Sequence, residues 1–278
     1  MTAVFLRSGY HIGNSGLGLV LGMLGLGIAL SELPWGLLTD RWGDRRVLLL
    51  GLGATAVSLA GMALFVVPGG AYVPGLTMLA SGLLLVGLLG GSVNGSSGRA
   101  VMAWFRDGER GLAMSIRQTA VPAGGGLGAL MLPALAAHFG FASVYGVLAL
   151  LCAVTAAFAW YWLHEPSVHE HSDSRPGVAG AMASDVLSAS AWHGVAFTEL
   201  ATLAGTRRAG TALAMGNTFA FSTLFLTPLI IPLLLSVGSW PLVWALASAC
   251  ALIALPVFPR AVVAGAHAAA PAQVRCEP

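Results

Sequence analysis

Seven stretches of the chain are dominated by apolar residues, and each is about as long as a membrane-crossing helix, which needs about 20 such residues. They are residues 15–39, 47–67, 74–97, 113–135, 142–163, 209–237 and 240–258. Alternating strand patterns are absent, and backbone groups in lipid must be hydrogen-bonded within the protein itself. The pattern therefore predicts an all-α fold, a polytopic bundle of about seven transmembrane helices.

Charge is concentrated in alternate connections between these stretches. The arginine-bearing connections are residues 40–46, 99–110, 164–175 and 207–208, whereas residues 68–73, 136–141 and 238–239 carry no arginine. Positively charged loops stay on the cytoplasmic side of a membrane. The alternation therefore predicts a protein of a bacterial-type inner membrane, with its N-terminus outside and its C-terminal tail inside. Arg7 is the charge that disagrees with this topology.

Composition supports the membrane reading and excludes several functions. The chain is 57% hydrophobic and only 9% charged, whereas soluble domains are about 25% charged. It contains no lysine, which rules out a retinal-type Schiff base. Cys152, Cys250 and Cys276 are too scattered for a disulfide framework or a metal site. We therefore predict no metal, no cofactor and no nucleic-acid partner.

Residues 178–204 do not fit the topology. This segment is moderately apolar, contains Asp185, His193 and Glu199, and lies between two connections that both count as cytoplasmic. A single crossing would break the alternation of sides, so we expect it to lie along the interface, to dip in and out, or to mark a local topology conflict. The polar residues 164–176 before it are predicted to be a flexible linker.

A charged motif stands between the first two predicted spans. Its sequence is Gly36-Leu-Leu-Thr-Asp40-Arg41-Trp-Gly43-Asp-Arg45-Arg46, of the form G-x-x-x-D-R-x-G-x-R-R. Gly43 permits a tight bend, and Asp40 can accept hydrogen bonds from helix N-terminal amides. The arginine cluster keeps the turn on the cytoplasmic side. This motif resembles the signature loop of the major facilitator superfamily of secondary transporters.

Two further pieces carry the same resemblance. Residues 96–136 look like the fourth-to-fifth helix region of bacterial members, with a glycine- and proline-rich fifth helix in which Pro122, Gly124 and Gly125 are expected to pack against other helices. Val121 stands where the family's antiporter motif has glycine, which weakens an antiport assignment. Residues 192–218 look like the tenth helix and its loop into the eleventh.

The resemblance implies a shortened member of the family. It divides the chain into an N-terminal half without its first helix (residues 1–163), a cytoplasmic linker (164–190), a remnant of the C-terminal half (191–259) and a tail (260–278). It also implies transport of a small molecule by alternating access in a lipid bilayer, with proton or ion coupling. Such a truncated or internally deleted chain is expected to lack part of the substrate path.

Ionisable groups within a membrane span are functional candidates by default. Glu32 and Arg117 lie at similar depths of their spans, about two turns from the charged connections. Glu32 is a candidate for proton coupling or gating, and Arg117 with Gln118 for binding an anionic substrate. Their alternatives are structural hydrogen bonding for Glu32 and snorkelling to headgroups for Arg117. Further cavity candidates are Asn94, Ser96, Ser97, Trp192 and His193.

Two other functions compete with transport. The tetrad Gly95-Ser96-Ser97-Gly98 has the G-x-S-G form of rhomboid intramembrane proteases, with His193 as a conceivable base. That dyad needs serine and histidine at one depth on facing helices, and Ser97 lies at the cytoplasmic edge beside Arg99. The third interpretation is a non-transporting membrane remnant that needs a partner. We expect a transporter and no enzyme.

Overall fold

The structure is a computed structural model that describes residues 2–69, 72–164, 197–198, 200–202, 204 and 208–254. This part of the chain is helical and contains no β-strand. The first helices are α1 (Thr2–Gly9), α2 (Asn14–Trp42), α3 (Asp44–Phe65), α4 (Leu76–Gly90) and α5 (Ser92–Trp104). They are followed by α6 (Asp107–Trp162), α7 (Ala209–Val237) and α8 (Trp240–Ala254). The predicted all-α class is confirmed.

Among the described residues, each predicted span largely coincides with a helix or a pair of consecutive helices. Five helical segments of the described chain are long and apolar enough to cross a membrane. One of them, α6, contains both spans predicted between residues 113 and 163. The two spans are separated by a break in the helical backbone at Gly140, which has φ 76° and ψ 177°. α8, as described, has 15 residues and is shorter than a full crossing. The sequence pattern missed α1, which is too short to show a period.

Several predicted regions lie outside the described residues. These are most of the interfacial segment 178–204, residues 165–190 of the linker and the tail 260–278. The predicted domain boundaries therefore stay predictions. Contacts divide the chain into a first unit, residues 1–233, and a second unit that starts at Leu234. The second unit contains the end of α7 and the apolar, largely exposed α8.

Glycines let α2 pack closely against two helices. On one side, a Cβ added to Gly18 would lie 2.5 Å from the carbonyl oxygen of Pro228, and one added to Gly22 would lie 3.2 Å from that of Phe225. On the other side, a Cβ on Gly27 would collide with the α4 backbone at Leu84. Small residues allow such backbone approach in membranes. We call the contact between α2 and α7 the α2–α7 seam.

One glycine-rich stretch of α6, unlike the α2–α7 seam, is exposed. Residues 119–131 of α6 are exposed except for Gly128, and nothing described lies within 4 Å of a Cβ built on Gly124, Gly125 or Gly126. We call these residues the open α6 stretch. Glycines of this kind are typical of a surface on which another helix packs, but no described helix packs on them.

A buried aromatic cluster joins α1, α3 and α6. The Tyr10 hydroxyl lies 2.6 Å from the carbonyl oxygen of Val66, to which it donates, and 3.3 Å from the hydroxyl of Tyr145. The ring of Phe141 meets Tyr10 edge-on at 5.1 Å. Burial, reinforced by Tyr145, raises the pKa of Tyr10 above its usual range, so its proton stays available for the bond to Val66. This cluster lies at the end of the bundle opposite the Gly36–Arg46 motif.

Candidate functional site

The motif turn is built around Gly43, which has φ 87°, a region that L side chains rarely adopt. This conformation lets α2 end and α3 begin with a single residue between them. Asp40 is therefore placed beside the first turn of α7. Its carboxylate accepts hydrogen bonds from the backbone N–H groups of Gly210 at 3.1 Å and Thr211 at 3.0 Å, and from the Thr211 hydroxyl at 2.6 Å.

These bonds place a negative charge at the positive end of the α7 dipole. An interaction of this kind typically contributes 0.3 to ~1 kcal/mol at an exposed site and up to ~2 kcal/mol where it is partly buried. Asp40 is mostly buried, so the larger figure applies. The closest approach is secured by Gly210 itself, since a Cβ there would lie 2.6 Å from the Asp40 carboxylate. The arrangement ties the motif to α7.

Arg99 of α5 connects both acids of the turn. Its NH1 atom donates to Asp44 at 2.6 Å, and its Nε atom lies 3.5 Å from the Asp40 carboxylate. The same guanidinium therefore holds the end of α2, the start of α3 and α5 together. From the sequence, Arg99 was assigned only to a charged connection and was not paired with the motif. A single arginine that follows an apolar stretch was the feature of the sequence that could have indicated a pairing with the motif.

Arg45 binds the far end of α6. Its NH2 atom donates to the carbonyl oxygen of Trp160 at 2.8 Å, and its guanidinium carbon lies 5.0 Å from the centre of the Trp160 ring. This is the distance range of a cation–π interaction. Arg41 and Arg46, by contrast, are exposed. We call the end of the bundle where these residues lie the signature end.

Glu32 is completely buried, with 0% exposure. One carboxylate oxygen accepts a hydrogen bond of 2.7 Å from the side-chain amide of Asn94 on α5. The other oxygen has no hydrogen-bond partner, although the side chain of Asn217 approaches the carboxylate from α7. A buried carboxylate with an unused oxygen is costly in an apolar interior. It is therefore a position at which a proton or a ligand would be stabilised.

Arg117 is half-buried and bonded to neutral acceptors. It donates through Nε to the Ser97 hydroxyl at 2.8 Å, through NH1 to the Gln118 side chain at 2.7 Å, and through NH2 to the Asn94 carbonyl at 2.6 Å. No described carboxylate lies within ion-pair distance of this guanidinium. NH1 also contacts the Met114 sulfur, a weak acceptor, at 4.0 Å. A guanidinium has five N–H donors, so one N–H of NH2 is left for another ligand, and the NH1 hydrogen at Met114 is held only weakly.

Asn94 links the two charges. Its side chain binds Glu32 and its backbone carbonyl binds Arg117, so the two ionised groups are bridged instead of directly paired. The equal depth read from the sequence is consistent with this geometry. Asn217 was missed, because an asparagine on the later helix gives no sign of which helix it faces. Together, Glu32, Asn94, Arg117, Gln118 and Asn217 form what we call the polar cluster.

Other predicted site residues are not brought to this cluster. Trp192 and His193 lie outside the described residues, and no described helix packs on Pro122, Gly124 or Gly125, so their packing role stays a prediction. Ser96 lies near α2 instead, with its hydroxyl 3.1 Å from that of Thr39.

The serine that the protease interpretation needs is already engaged. The Ser97 hydroxyl donates to the carbonyl oxygen of Val93 at 2.5 Å and accepts a hydrogen bond from Arg117. A serine nucleophile instead requires a base that takes the hydroxyl proton. His193, the base proposed for it, is not among the residues that the structure describes.

Comparison with known proteins places the chain in a family. The family model of the Major Facilitator Superfamily matches residues 1–202. Uncharacterized MFS-type transporters from two strains of Mycobacterium tuberculosis are each 38% identical over 119 residues, 43% of this chain and 25% of theirs. The uncharacterized transporter YybO of Bacillus subtilis is 25% identical over 170 residues, 61% of this chain and 37% of its own. The matched region thus spans a quarter to just over a third of these relatives.

The family match, the signature turn and the apolar helices agree with one another. The resemblance drawn from the Gly36–Arg46 motif is confirmed. The chain belongs to the Major Facilitator Superfamily and is an integral membrane protein.

Proposed function

We propose that this chain forms part of a secondary active transporter that moves a small anionic metabolite together with a proton by alternating access. The observation that carries the proposal is Arg117, a half-buried cation whose described partners are all neutral. A charge held in an apolar interior favours a ligand of opposite sign. The names of its relatives, which call them transporters, support the general class.

The substrate group we assign to Arg117 is a carboxylate or a phosphate. The free N–H of NH2 and the NH1 hydrogen that only the Met114 sulfur accepts, at 4.0 Å, match two oxygens of such a group, as in other bidentate arginine sites. Gln118 and Asn94 hold the guanidinium in place. The anion therefore meets a preoriented donor and does not have to displace a carboxylate from it.

Glu32 is the proposed proton carrier. Asn94 joins Glu32 to Arg117, so the positive charge of Arg117 acts on the Glu32 carboxylate. When an anion neutralises that charge, the buried carboxylate loses its support and proton uptake becomes more favourable. By linkage, proton binding then favours anion binding to the same extent. Anion and proton would thus enter and leave the site together, and no antiport of a second solute is needed.

Alternating access requires the site to open to each side in turn. On the signature end, the contacts of Asp40 with Gly210 and Thr211 join α2 to α7 and would have to break when that end opens. The arginine-bearing connections support a cytoplasmic position for this end. We therefore assign the protein to a bacterial-type inner membrane, with its N-terminus outside and its C-terminus inside.

Proteoliposomes loaded with the pH-sensitive dye pyranine test the proposal. An inward gradient of succinate or of inorganic phosphate should acidify the lumen with the wild-type chain. Glu32→Gln keeps the bond to Asn94 but cannot take up a proton, so it should abolish acidification and retain exchange of labelled anion. Arg117→Gln should abolish both signals. Glu109→Gln, at an exposed position away from the cluster, is the matched control.

Equal signals from Arg117→Gln and the wild type would contradict the anion site. Acidification that survives Glu32→Gln would contradict its role as proton carrier. A flat trace from folded wild-type protein would argue against transport by this chain alone and would favour the next candidate.

A second candidate function is assembly with a partner that completes the transporter. One observation favours it: no described helix packs on the open α6 stretch. Native mass spectrometry of the protein extracted from its own membranes would test this. A mass equal to one chain alone would contradict assembly with a partner.

A further inference from the structure

The helix α1 has a polar face that does not pack against the bundle. Leu6 and Tyr10 are buried against α3 and α6. Arg7, Ser8 and His11 are exposed on the other side of the helix. Only 9% of the residues in this chain are charged, so we asked what the polar face of α1 could bind.

This face lines a cavity of about 490 Å³ between α1 and the start of α2. Arg7, His11 and Asn14 are its charged and polar walls, and Val4, Ile12 and Leu17 are its apolar walls. The Ser8 hydroxyl is already bonded to the carbonyl oxygens of Val4 and Phe5. The donors left to a ligand are the Arg7 guanidinium, the His11 imidazole and the Asn14 amide.

The geometry of the turn keeps Arg7 and His11 together. The backbone N–H of Ile12 donates to the Arg7 carbonyl at 3.1 Å. His11 has φ 52°, a conformation that is uncommon outside glycine but in which histidine is enriched. The chain therefore reverses sharply between α1 and α2, and the side chains of residues 7, 11 and 14 border the same space.

The charge balance at this end of the bundle is one-sided. Among the described residues, Arg7 has no ion pair and no side-chain hydrogen bond. The described carboxylates lie elsewhere: Glu32 is in the polar cluster, and the others belong to the signature end. Arg7 was also the charge that disagreed with the topology read from the sequence. Arg7 therefore has no side-chain partner among the described residues, and the positive-inside rule does not explain its position.

We propose that the α1–α2 cavity is a binding site for a small anion that carries a carboxylate or phosphate group. Arg7 binds two of its oxygens through parallel N–H groups, as guanidinium groups do. Asn14 and His11 each donate to it from the side, and the apolar walls receive the rest of the molecule. The site is separate from Arg117. The cavity borders the start of α2, whereas Arg117 is linked through Asn94 to Glu32, much further along α2.

Two sources can supply this chemistry, namely an anion dissolved in the aqueous phase and the phosphate of a lipid headgroup. Both would meet the same donors. A dissolved anion would reach the cavity from water in any membrane, whereas a headgroup would occupy it only in membranes that contain an anionic lipid. Lipid composition therefore separates the two.

Binding of labelled inorganic phosphate and labelled succinate to the Arg117→Gln protein in nanodiscs tests the proposal. Use of this variant removes the anion site proposed at Arg117, so success or failure here is independent of the transport proposal. In zwitterionic phosphatidylcholine nanodiscs we expect saturable binding of one anion per chain. Arg7→Gln should weaken it about tenfold, as expected for loss of a charge-assisted hydrogen bond. His11→Asn keeps an N–H donor on a shorter side chain and should weaken binding less.

Arg7→Lys retains the charge without the planar pair of donors and should weaken binding less than Arg7→Gln. His138→Asn changes another exposed histidine outside the cavity and should leave binding unchanged. Phosphatidylglycerol that competes with phosphate in the Arg117→Gln protein, but not after Arg7→Gln, would assign the site to a headgroup. Binding that persists in phosphatidylglycerol would assign it to a dissolved anion.

The absence of saturable binding in phosphatidylcholine, together with no Arg7-dependent retention of phosphatidylglycerol, would overturn the proposal. Binding that is unaffected by both Arg7→Gln and His11→Asn would overturn it as well. Arg7 and His11 are exposed, so neither substitution removes a buried contact, and each variant is expected to fold. Circular dichroism of the same samples checks this.

Discussion

The α2–α7 seam and the open α6 stretch have similar compositions and opposite environments. Both are rich in glycine within long apolar helices. In the seam, Gly18 and Gly22 bring backbones into contact, and Asp40 and the polar cluster add polar contacts along the same line. In the open stretch, a Cβ built on Gly124, Gly125 or Gly126 meets none of the described residues within 4 Å. Glycine in a membrane helix therefore permits close packing, and only a partner makes use of it.

The difference also separates what α2 and α6 contribute. α2 lies between α4 and α7, so substitutions along it act on this chain's own stability. The open stretch of α6 borders none of the described helices, so substitutions there act on what the chain contacts in the membrane. Stability and assembly can thus be tested on two sets of glycines.

The largest expected effect is that of Gly27→Ala. Its added methyl group would collide with the α4 backbone at Leu84 and lie 2.8 Å from the amide nitrogen of Leu88. Backbone cannot rotate away as a side chain can, so we expect a loss of roughly 2–3 kcal/mol in the free energy of unfolding. Titration from dodecylmaltoside into SDS, followed by circular dichroism, measures it.

The matched control for Gly27→Ala is Gly125→Ala. Here the methyl group meets nothing described, and alanine favours a helix over glycine by up to ~1 kcal/mol. We expect unchanged or slightly increased stability. Equal losses at both positions would remove the distinction between the packed glycines of α2 and those of the open α6 stretch. A stable Gly125→Leu protein that no longer assembles or transports would instead show that another helix covers this stretch.

The second expected effect is that of Asp40→Asn. It removes the negative charge that accepts from Gly210 and Thr211 and pairs with Arg99, at a cost of about 2 kcal/mol in unfolding free energy. The same SDS titration measures this cost. Glu109→Gln removes an exposed carboxylate and should change stability by less than ~0.5 kcal/mol. A neutral Asp40→Asn would mean that apolar packing alone holds α7 to α2.

The smallest expected effect concerns Arg45 and Trp160 at the signature end. Because their ring contact is exposed, the cation–π interaction should contribute roughly 0.5–1 kcal/mol. A double-mutant cycle with Arg45→Gln and Trp160→Leu isolates this coupling, since the backbone carbonyl of Trp160 remains in every variant. A coupling energy of zero would show that Arg45 contributes only through that carbonyl.

The sequence by itself determined the helical class, the spans and the family. Apolar stretches about 20 residues long have few alternatives in lipid, because unpaired backbone groups there are too costly. The Gly36–Arg46 motif was equally readable, since glycine at a sharp turn and a carboxylate next to a helix start are local requirements. The break at Gly140 was likewise anticipated by the uncharged connection at residues 136–141.

Only the tertiary structure decided which helices meet. Asp40 was readable as an acceptor for helix amides, but its choice of α7 depends on residues 170 positions away. Glu32 and Arg117 were candidates from their depth, yet the bridge through Asn94 and the approach of Asn217 follow from helix rotation. One glycine in a helix looks like another in the sequence. The physical reason is that side chains point outward all around a helix, and only the packing of neighbouring helices decides which of them become buried.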